Sequence, residues 1–361
     1  MRIVVDVTPL SLPRTGIGNY TVGMLRGLAD AEGSHEVVAF APVGPRGARR
    51  VRDALDGLPI ERRIVRIPPS SHTWRTGWSR LGRPALERVV GRFDVFHFSD
   101  WMYPRQRSGV RATTVYDLSP LHHPEWVAPL TARMHGRKYV EAARSCDVVI
   151  AISSYTARDI TETLGIPTEK VAIARPGVHA RFSLEGHRAD LGGPYVLSVA
   201  TLEPRKNLST LVDAFALVRA RRPELQLVVA GAPVAWAEQD LAAEGVRALG
   251  FVADTALPAL YRGASVFAYA SLLEGFGIPV IEAMASGTPV AASAHPSLDD
   301  AAGEAAVRAD PQSPEAMASA IERALAERER LVPVGLEHAS RFTWKACGEA
   351  HLSAYLRHFS G

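Results

Sequence analysis

Cysteine is scarce in this sequence, with Cys146 and Cys347 the only two among 361 residues. No CxxC spacing occurs, which argues against a disulfide framework or a cysteine zinc site and fits a reducing cytoplasm. The sequence also lacks an apolar run near the roughly 20 residues that span a bilayer. The first apolar run stops at Asp6 and is too short for a signal peptide. We therefore expect a cytoplasmic protein that is at most peripheral to a membrane.

An excess of charge of one sign is lacking as well. The net charge is +3, which is small for this length, so the composition does not predict nucleic-acid binding. A hydrophobic content of 47% with 22% charged residues indicates a folded globular chain rather than disorder. The length exceeds one ordinary core and suits two α/β domains of about 150–180 residues each.

Short β-branched runs alternate with longer helical patterns, which predicts parallel sheets with crossover helices. A turn-rich segment at 176–194 is interpreted as the linker between two such series. We predict Rossmann-like domains at 1–182 and 183–341, and a closing helix at 342–361. The predicted strands are 2–6, 36–40, 64–67, 95–98, 112–115, 148–152, 195–199, 225–230, 246–249, 265–268 and 290–292. The predicted helices are 18–30, 85–91, 129–146, 154–164, 207–221, 279–286 and 342–359.

The segment 271–290 carries the most informative pattern. Its sequence, SLLEGFGIPVIEAMASGTPV, indicates a glycine loop after a strand, then a helix and the next strand. Pro279 suits the first helical turn, and Gly287 suits the position after the last.

Two glycines and two acids of that segment indicate a ligand site. Gly275 and Gly277 let backbone amides approach a phosphate at the positive end of the helix. Glu274 and Glu282 can accept hydrogen bonds from hydroxyl pairs on a sugar and on a ribose. The alternative is a plain turn followed by a solvated helix face.

A basic pair follows the predicted strand 195–199. Lys206 is one of only four lysines in the chain, and it stands beside Arg205. Asn207 is the expected N-cap of the next helix. Cations beside a helix N-terminus form a diphosphate site, although a basic pair on the surface is the alternative.

These motifs resemble the retaining GT-B glycosyltransferases of group 1 (family 4), many of which are mannosyltransferases. Further matching pieces are TGIGNY at 15–20, YDLSPLHHPEW at 116–126, RPGV at 175–178, TLEPRKNL at 201–208 and GFV at 250–252. The resemblance implies an α/β fold of two Rossmann-like domains facing across a cleft. It also implies a C-terminal helix that packs back toward the N-terminal domain.

The resemblance implies donor contacts from both halves of the chain. Arg205 and Lys206 would hold the donor diphosphate and stabilise it as it leaves, and many members also have a Gly-Arg pair where this chain has Ala200 and Thr201. The predicted donor-binding set is Gly16, Gly18, Arg205, Lys206, Gly231, Phe251, Val252, Glu274, Gly275, Phe276, Gly277, Ile278 and Glu282. The predicted catalytic set is Asp117, Glu274, Arg205 and Lys206.

The acceptor side is predicted from the segment after strand 112–115. Tyr116 stands where many family members have a histidine that contacts the donor sugar. Asp117 is the preferred partner of the acceptor hydroxyl, with satisfaction by local backbone amides as the alternative. His97 and His122 are further acceptor-side candidates, for which a structural or solvated role is the alternative.

The family mechanism is a front-face substitution in which the leaving phosphate oxygen helps to take the acceptor proton. No Asp-x-Asp occurs in the chain, so a metal on the diphosphate is not expected, and the only co-substrate is the nucleotide sugar. The resemblance favours GDP-mannose as donor and a UDP-sugar second. The acceptor is a hydroxyl on a glycan, a glycolipid or a natural product.

Other interpretations stay open at this point. They are a sugar-nucleotide 2-epimerase, a synthase or phosphorylase acting on a free small sugar, and a nucleotide-sugar-binding protein without turnover. The segment 71–92 combines Trp74 and Trp78 with several arginines, so contact with anionic lipid is a further possibility. A solvated or acceptor-binding loop is the alternative there.

Overall fold

The computed structural model describes residues 1–13, 16–67, 71–100, 102–234, 236 and 241–359. The chain divides into two units. The first unit contains Met1–His122, Pro129–Gly177 and Thr343–Gly361, and the second contains His123–Ala128 and Val178–Phe342. Each unit is built around one parallel sheet.

The first unit has a seven-stranded sheet, whose strands are β1 (Arg2–Asp6), β2 (Glu36–Val43), β3 (Glu61–Arg66), β4 (Val95–Phe98), β5 (Val110–Val115), β6 (Val148–Ala151) and β7 (Val171–Ile173). Their order is β3-β2-β1-β4-β5-β6-β7, and every pair is parallel. The order reverses between β1 and β4. Ligands of open parallel sheets favour the carboxyl ends of the strands at such a point.

The second unit has a six-stranded sheet, whose strands are β8 (Tyr195–Val199), β9 (Gln226–Ala230), β10 (Val246–Gly250), β11 (Val266–Tyr269), β12 (Val290–Ser293) and β13 (Ala306–Ala309). Their order is β10-β9-β8-β11-β12-β13, again all parallel. Here the order reverses between β8 and β11. The two units therefore repeat one plan.

The central strands β4, β5, β6, β11 and β12 are buried at every residue, as in parallel sheets that are covered on both faces. Helices α1 to α7 are Gly16–Asp30, Pro45–Ala54, Ser71–Leu81, Leu86–Val90, Ser119–His122, Pro129–Ser145 and Ser154–Leu164. Helices α8 to α14 are Leu208–Arg219, Leu257–Gly263, Ile278–Ala285, Asp299–Ala302, Pro314–Ala326, Arg328–Ser340 and Trp344–Leu356. Short 3₁₀ helices lie at Thr8–Ser11, Pro124–Trp126, Thr168–Lys170, Pro204–Lys206 and Pro296–Leu298.

Helix α14 brings the end of the chain back onto the first unit, where it packs against α1. The backbones cross closely: a Cβ added at Gly27 would lie 1.8 Å from the carbonyl oxygen of Trp344, and one at Gly348 would lie 2.0 Å from the carbonyl carbon of Gly27. Only glycine permits this approach. The predicted packing of the C-terminal helix toward the N-terminal part of the chain is confirmed.

The structure confirms each predicted strand and helix, with differences of up to three residues at some ends. It adds elements that the sequence did not predict, among them α2, α3, β7, α9, β13, α12 and α13. Among the described residues, the helices are either too short or too polar to cross a bilayer.

Candidate active site

The predicted cationic pair and the predicted acid come from neighbouring strands of the second unit. The chain leaves β8 and reaches Arg205 and Lys206 in the 3₁₀ helix Pro204–Lys206, whereas it leaves β11 and reaches Glu274. Since β8 and β11 pair directly in parallel, both segments start at the same edge of the sheet. That edge is the point where the strand order reverses, which favours a ligand site.

Glu274 binds both cations through its two carboxylate oxygens. Arg205 Nη1 donates to Glu274 Oε2 at 2.8 Å, and Lys206 Nζ donates to Oε1 at 2.6 Å. The Tyr269 hydroxyl lies between them, because it donates to Glu274 Oε1 at 2.8 Å and accepts from Lys206 at 2.9 Å. Arg205 Nε also donates to Glu203 Oε2 at 2.9 Å. The carboxylates of Glu203 and Glu274, the cations Arg205 and Lys206, and the Tyr269 hydroxyl thus form one cluster.

The cluster is buried at Glu274 and Lys206, which are 6% and 8% exposed. Burial by itself would favour the neutral carboxylic acid. The charges of Arg205 and Lys206 outweigh it and hold the pKa of Glu274 at about 2. The carboxylate is therefore charged across the physiological range, and the cations have an anionic partner before any ligand binds.

Backbone hydrogen bonds fix the two loops that carry the cluster. The amide of Leu272 donates to the carbonyl of Arg205 at 2.8 Å, which ties the loop after β11 to the segment after β8. The amide of Glu274 donates to Ser297 Oγ at 2.9 Å. These bonds hold the charged side chains in place, as a preorganised site requires.

Helix α10 begins directly after this loop, as predicted. Gly277 precedes it with a φ of 100°, a left-handed conformation that favours glycine, and Pro279 lies in its first turn. Gly287 follows the helix with a φ of 73°, as a C-terminal glycine should. The side chain of Phe276 packs against Phe342 with ring centroids 5.3 Å apart, so this predicted donor residue has a core side chain.

Asn207 lies at the N-cap of α8, as predicted, but its side chain has other partners. It precedes α8 but has a φ of 54°, and its side chain makes no capping hydrogen bond. Its amide nitrogen instead donates to the carbonyls of Ala270 and Pro311. The predicted N-cap position is therefore confirmed, but the side-chain oxygen accepts from the Thr210 hydroxyl at 2.8 Å rather than from a backbone amide of the first turn. Asn207 joins the loop that holds Glu274 to the segment that holds Lys206.

Glu282 lies on α10 and is not in contact with the cluster in the hydrogen bonds and ion pairs that the structure gives. Its Oε2 accepts from the Tyr261 hydroxyl at 3.2 Å. Burial raises the pKa of Glu282 to about 8, with Tyr261 and Arg181 opposing that shift. The two acids of the motif therefore have opposite electrostatic surroundings: Glu274 is held charged and Glu282 is pushed toward the neutral acid.

The predicted contacts for the donor base lie at the same edge of the second sheet. Gly231 follows β9 and donates its amide to the carbonyl of Gly250 at 2.8 Å. Phe251 follows β10 with 75% of its surface exposed, and Val252 is partly buried. Ile278 starts α10 and is partly buried. These residues extend the edge that holds Arg205 and Glu274.

The predicted donor-side residues of the first unit do not form a cluster like that of Arg205, Lys206 and Glu274. Gly16 and Gly18 form the first turn of α1, and Thr15 of the same motif lies outside the described residues. Tyr116 packs edge-on against Tyr20, with ring centroids 5.5 Å apart. The ammonium of Lys138 lies over the Tyr116 ring, 5.4 Å from its centroid. None of these contacts tests a role toward a donor, which stays a prediction.

The three other candidates of this unit have structural partners. His97 is 4% exposed, and its ring nitrogens face the Tyr355 hydroxyl at 2.8 Å and the Thr114 hydroxyl at 3.0 Å. Asp117 Oδ1 accepts from the amide and hydroxyl of Ser119, which is the local satisfaction named as its alternative. His122 Nε2 faces Asp159 Oδ1 at 2.8 Å. Each of the three therefore has a protein partner, and its role toward the acceptor stays a prediction.

Sequence reasoning missed Tyr269, Glu203 and the buried pair Asp100–Lys138. Tyr269 is the last residue of β11, and an aromatic residue is common in a strand, so the local sequence gives no indication of a functional role. Lys138 had a weak signal in the scarcity of lysine, and it donates to Asp100 in the first unit. Among the described residues, no three His, Cys, Asp or Glu side chains form a metal cluster.

Comparison with known proteins places this architecture in a family. A model described as Glycosyltransferase Family 4 matches residues 14–182, and one described as Glycosyl transferases group 1 matches residues 181–338. The O-antigen chain mannosyltransferase B of Escherichia coli is 27% identical, over 98% of this chain and 99% of its own length.

Solved structures share the fold at low identity. Sucrose-phosphate synthase from Thermosynechococcus elongatus has a TM-score of 0.73 at 20% identity and covers 99% of both chains. HepE from Anabaena, solved with UDP-glucose, has a TM-score of 0.71 at 16% identity, covering 99% of this chain and 100% of its own. The chain therefore belongs to the group 1 (family 4) glycosyltransferases and is an enzyme of that kind, with the two Rossmann-like units of the GT-B fold.

Proposed function

We propose that the enzyme transfers a hexose from a nucleoside-diphosphate sugar to a hydroxyl of a glycan, glycolipid or natural product, with retention of the anomeric configuration. The observation that carries this proposal is the cluster of Arg205, Lys206 and Glu274 at the point where the strand order reverses. GDP-mannose is our first donor because an aligned relative is named a mannosyltransferase. A UDP-sugar is the second, since HepE was solved with UDP-glucose.

In this proposal the donor diphosphate takes over the cations that Glu274 holds. A diphosphate carries the same sign of charge as the carboxylate, so exchanging one for the other leaves neither Arg205 nor Lys206 buried without a partner. The exchange also releases the Glu274 carboxylate, which can then accept hydrogen bonds from hydroxyls of the transferred sugar. Glu282 would bind the ribose hydroxyls.

During transfer the bond between the anomeric carbon and the diphosphate oxygen breaks, and the acceptor oxygen bonds to the same face of that carbon. The acceptor proton passes to the departing diphosphate. Arg205 and Lys206 stabilise the charge that develops on the leaving group, so we expect no metal requirement. Asp117 stays our candidate partner for the acceptor hydroxyl.

The test is a thermal-shift screen with GDP-, UDP- and dTDP-sugars. We expect one base to stabilise the parent protein, and Lys206→Ala and Glu282→Ala each to remove most of that stabilisation. Loss of one charge-stabilising donor costs about 10²–10³-fold in turnover in comparable sites, and we expect Lys206→Ala to fall in that range. Lys345→Ala, an exposed lysine of α14, is the matched control. If both site variants respond to nucleotide sugars like the parent, the donor site is assigned wrongly.

Product analysis separates the remaining alternatives. Incubation with the stabilising donor and free monosaccharides would reveal a synthase acting on small sugars. Donor binding with no product from any acceptor class would indicate a binding protein. Proton NMR of the new glycosidic bond tests retention, because an inverted product would exclude the front-face mechanism.

A further inference from the structure

A cavity of about 200 Å³ opens in the first unit, apart from the Glu274 cluster of the second. Its walls come from α3, from the segment that follows β4, and from α6. The segment after β4 leaves the first sheet at its carboxyl edge. This is the edge of a parallel sheet where ligands collect.

Arginines dominate the cavity wall. Arg80 of α3, Arg105, and Arg137 and Arg144 of α6 all line it, against two acids, Asp100 and Glu141. Both acids already have cationic partners. Asp100 binds Lys138, and Glu141 binds Arg111 at 3.2 Å and Arg144 at 2.7 Å.

The other three cavity arginines are exposed to solvent, and among the described residues they lie beside no acid that pairs with them. In the described part of the chain, Arg80, Arg105 and Arg137 have no ion pair. A guanidinium group presents a planar set of donors that matches the oxygens of a phosphate or carboxylate. Three such groups around one cavity favour an anion.

Asp100 gives a second and independent indication of a ligand. The residue is 3% exposed and lines the cavity. Lys138 binds Oδ1, whereas the buried Oδ2 has no hydrogen-bond partner among the described residues. A buried acceptor without a donor is unusual in a folded protein. A ligand hydroxyl would supply that donor.

We propose that this cavity binds a phosphorylated group that also carries a hydroxyl, as the anionic part of the acceptor. Arg80, Arg105 and Arg137 hold the phosphate, and Asp100 Oδ2 accepts a hydrogen bond from the hydroxyl. The assignment to the acceptor rests on the proposed transferase function. The phosphate itself comes either from a soluble sugar phosphate or from a lipid headgroup.

The experiment compares two double variants that remove the same charge. Arg80→Gln/Arg137→Gln changes the cavity, whereas Arg133→Gln/Arg158→Gln changes exposed arginines of α6 and α7 outside it. Calorimetric titration uses mannose 6-phosphate, with mannose as the neutral probe. Co-sedimentation uses phosphatidylglycerol vesicles, with phosphatidylcholine vesicles as the neutral surface. Both doubles keep the donor site, so phosphate binding there cancels in the comparison.

We expect the cavity double to bind at least one phosphate probe about tenfold more weakly than the control double. Loss confined to mannose 6-phosphate identifies a soluble source, and loss confined to the vesicles identifies a lipid headgroup. Equal binding of both probes by the two doubles overturns the proposal. These titrations need no donor, so the cavity can be supported even if the thermal-shift screen fails, and the reverse also holds.

Discussion

At the scale of single residues, both units bury a lysine against an acid. Lys138 and Lys206 are two of only four lysines in the chain and are 1% and 8% exposed. A buried ammonium costs several kcal/mol unless an opposite charge compensates it, and removing one partner of such a pair costs about 3–5 kcal/mol. Asp100 and Glu274 provide that compensation. Both acids follow a central strand of their sheet, beside the sites proposed above.

Glu282 gives a prediction about pH. Its native pKa is about 8, above the ordinary value of 4.5, so the native state keeps a proton that the unfolded chain releases. The native state is therefore favoured by the neutral Glu282 carboxyl. This contribution to the free energy of unfolding is fully present below about pH 4.5 and is lost as the pH rises through 8. We expect the parent melting temperature to fall between about pH 5 and 9, and Glu282→Gln to reduce that fall.

The measurement is differential scanning fluorimetry across that range in matched buffers. Glu337→Gln, which changes an exposed acid of α13, serves as the control. Identical pH slopes for the parent and Glu282→Gln would show that the carboxyl does not hold an extra proton in the native state.

At the scale of elements, the start of α10 determines where the charged loop lies. Three hydrogen bonds fix the loop between β11 and α10 to two other segments: Leu272 and Ala270 bond to Arg205 and Asn207, and Glu274 bonds to Ser297. The loop must then turn sharply into the helix at Gly277. A loop fixed at both ends can hold charges for a diphosphate without rearrangement, which is the condition for strong electrostatic catalysis.

Gly277→Ala tests that turn. Its φ of 100° disfavours alanine, and the new Cβ would lie 2.5 Å from Leu298 Cδ2. We expect a loss of about 1–3 kcal/mol of stability from the strained backbone, together with weaker stabilisation by the nucleotide sugar. Urea unfolding and the thermal-shift screen measure the two effects.

Gly136→Ala provides the comparison for that variant. It lies in α6, where the added Cβ meets no atom within 4 Å, and alanine favours helices more than glycine does. Its stability should stay unchanged or rise. A Gly277→Ala protein as stable as Gly136→Ala would mean that the turn does not require glycine.

At the scale of the whole molecule, the chain leaves the first unit after Gly177 and returns to it at Thr343. Helix α14 thus completes a unit whose other elements precede it in the sequence by more than 160 residues. Contacts of such long sequence separation are costly to form, because loop closure must precede them. Gly27 of α1 and Gly348 of α14 allow the returning helix to pack closely against α1.

Gly27→Ala is the variant that tests this crossing. The added Cβ would lie 1.8 Å from the Trp344 carbonyl oxygen, so α14 must move away from α1. Overpacking of this kind costs about 1–3 kcal/mol, occasionally more. We expect a lower urea midpoint for Gly27→Ala, whereas Gly77→Ala, an open position on α3, should match the parent. Equal midpoints for the two variants would show that the helices do not need this close approach.

The sequence by itself determined the alternation of strands and helices, the loop and helix around Glu274 and Glu282, and the position of Arg205 and Lys206 between a strand and a helix. These features are local: β-branched runs, glycine and proline at turns, and charges beside a helix start are visible within about ten residues. Elements whose local pattern of apolar and polar residues is weak were not predicted. Strand β13, for example, has Arg308 in its middle, and the carbonyls of Ser293 and His295 satisfy that guanidinium.

Only the tertiary structure decided which distant side chains meet. Tyr269 lies between Lys206 and Glu274 because β11 pairs with β8. The side-chain amide of Asn207 donates to the carbonyls of Ala270 and Pro311, and His97 is enclosed by Thr114 and Tyr355. Asp100 and Lys138 meet across the carboxyl edge of the first sheet. A hydrogen bond depends on positions in space, and parallel sheets bring together residues that no local pattern relates.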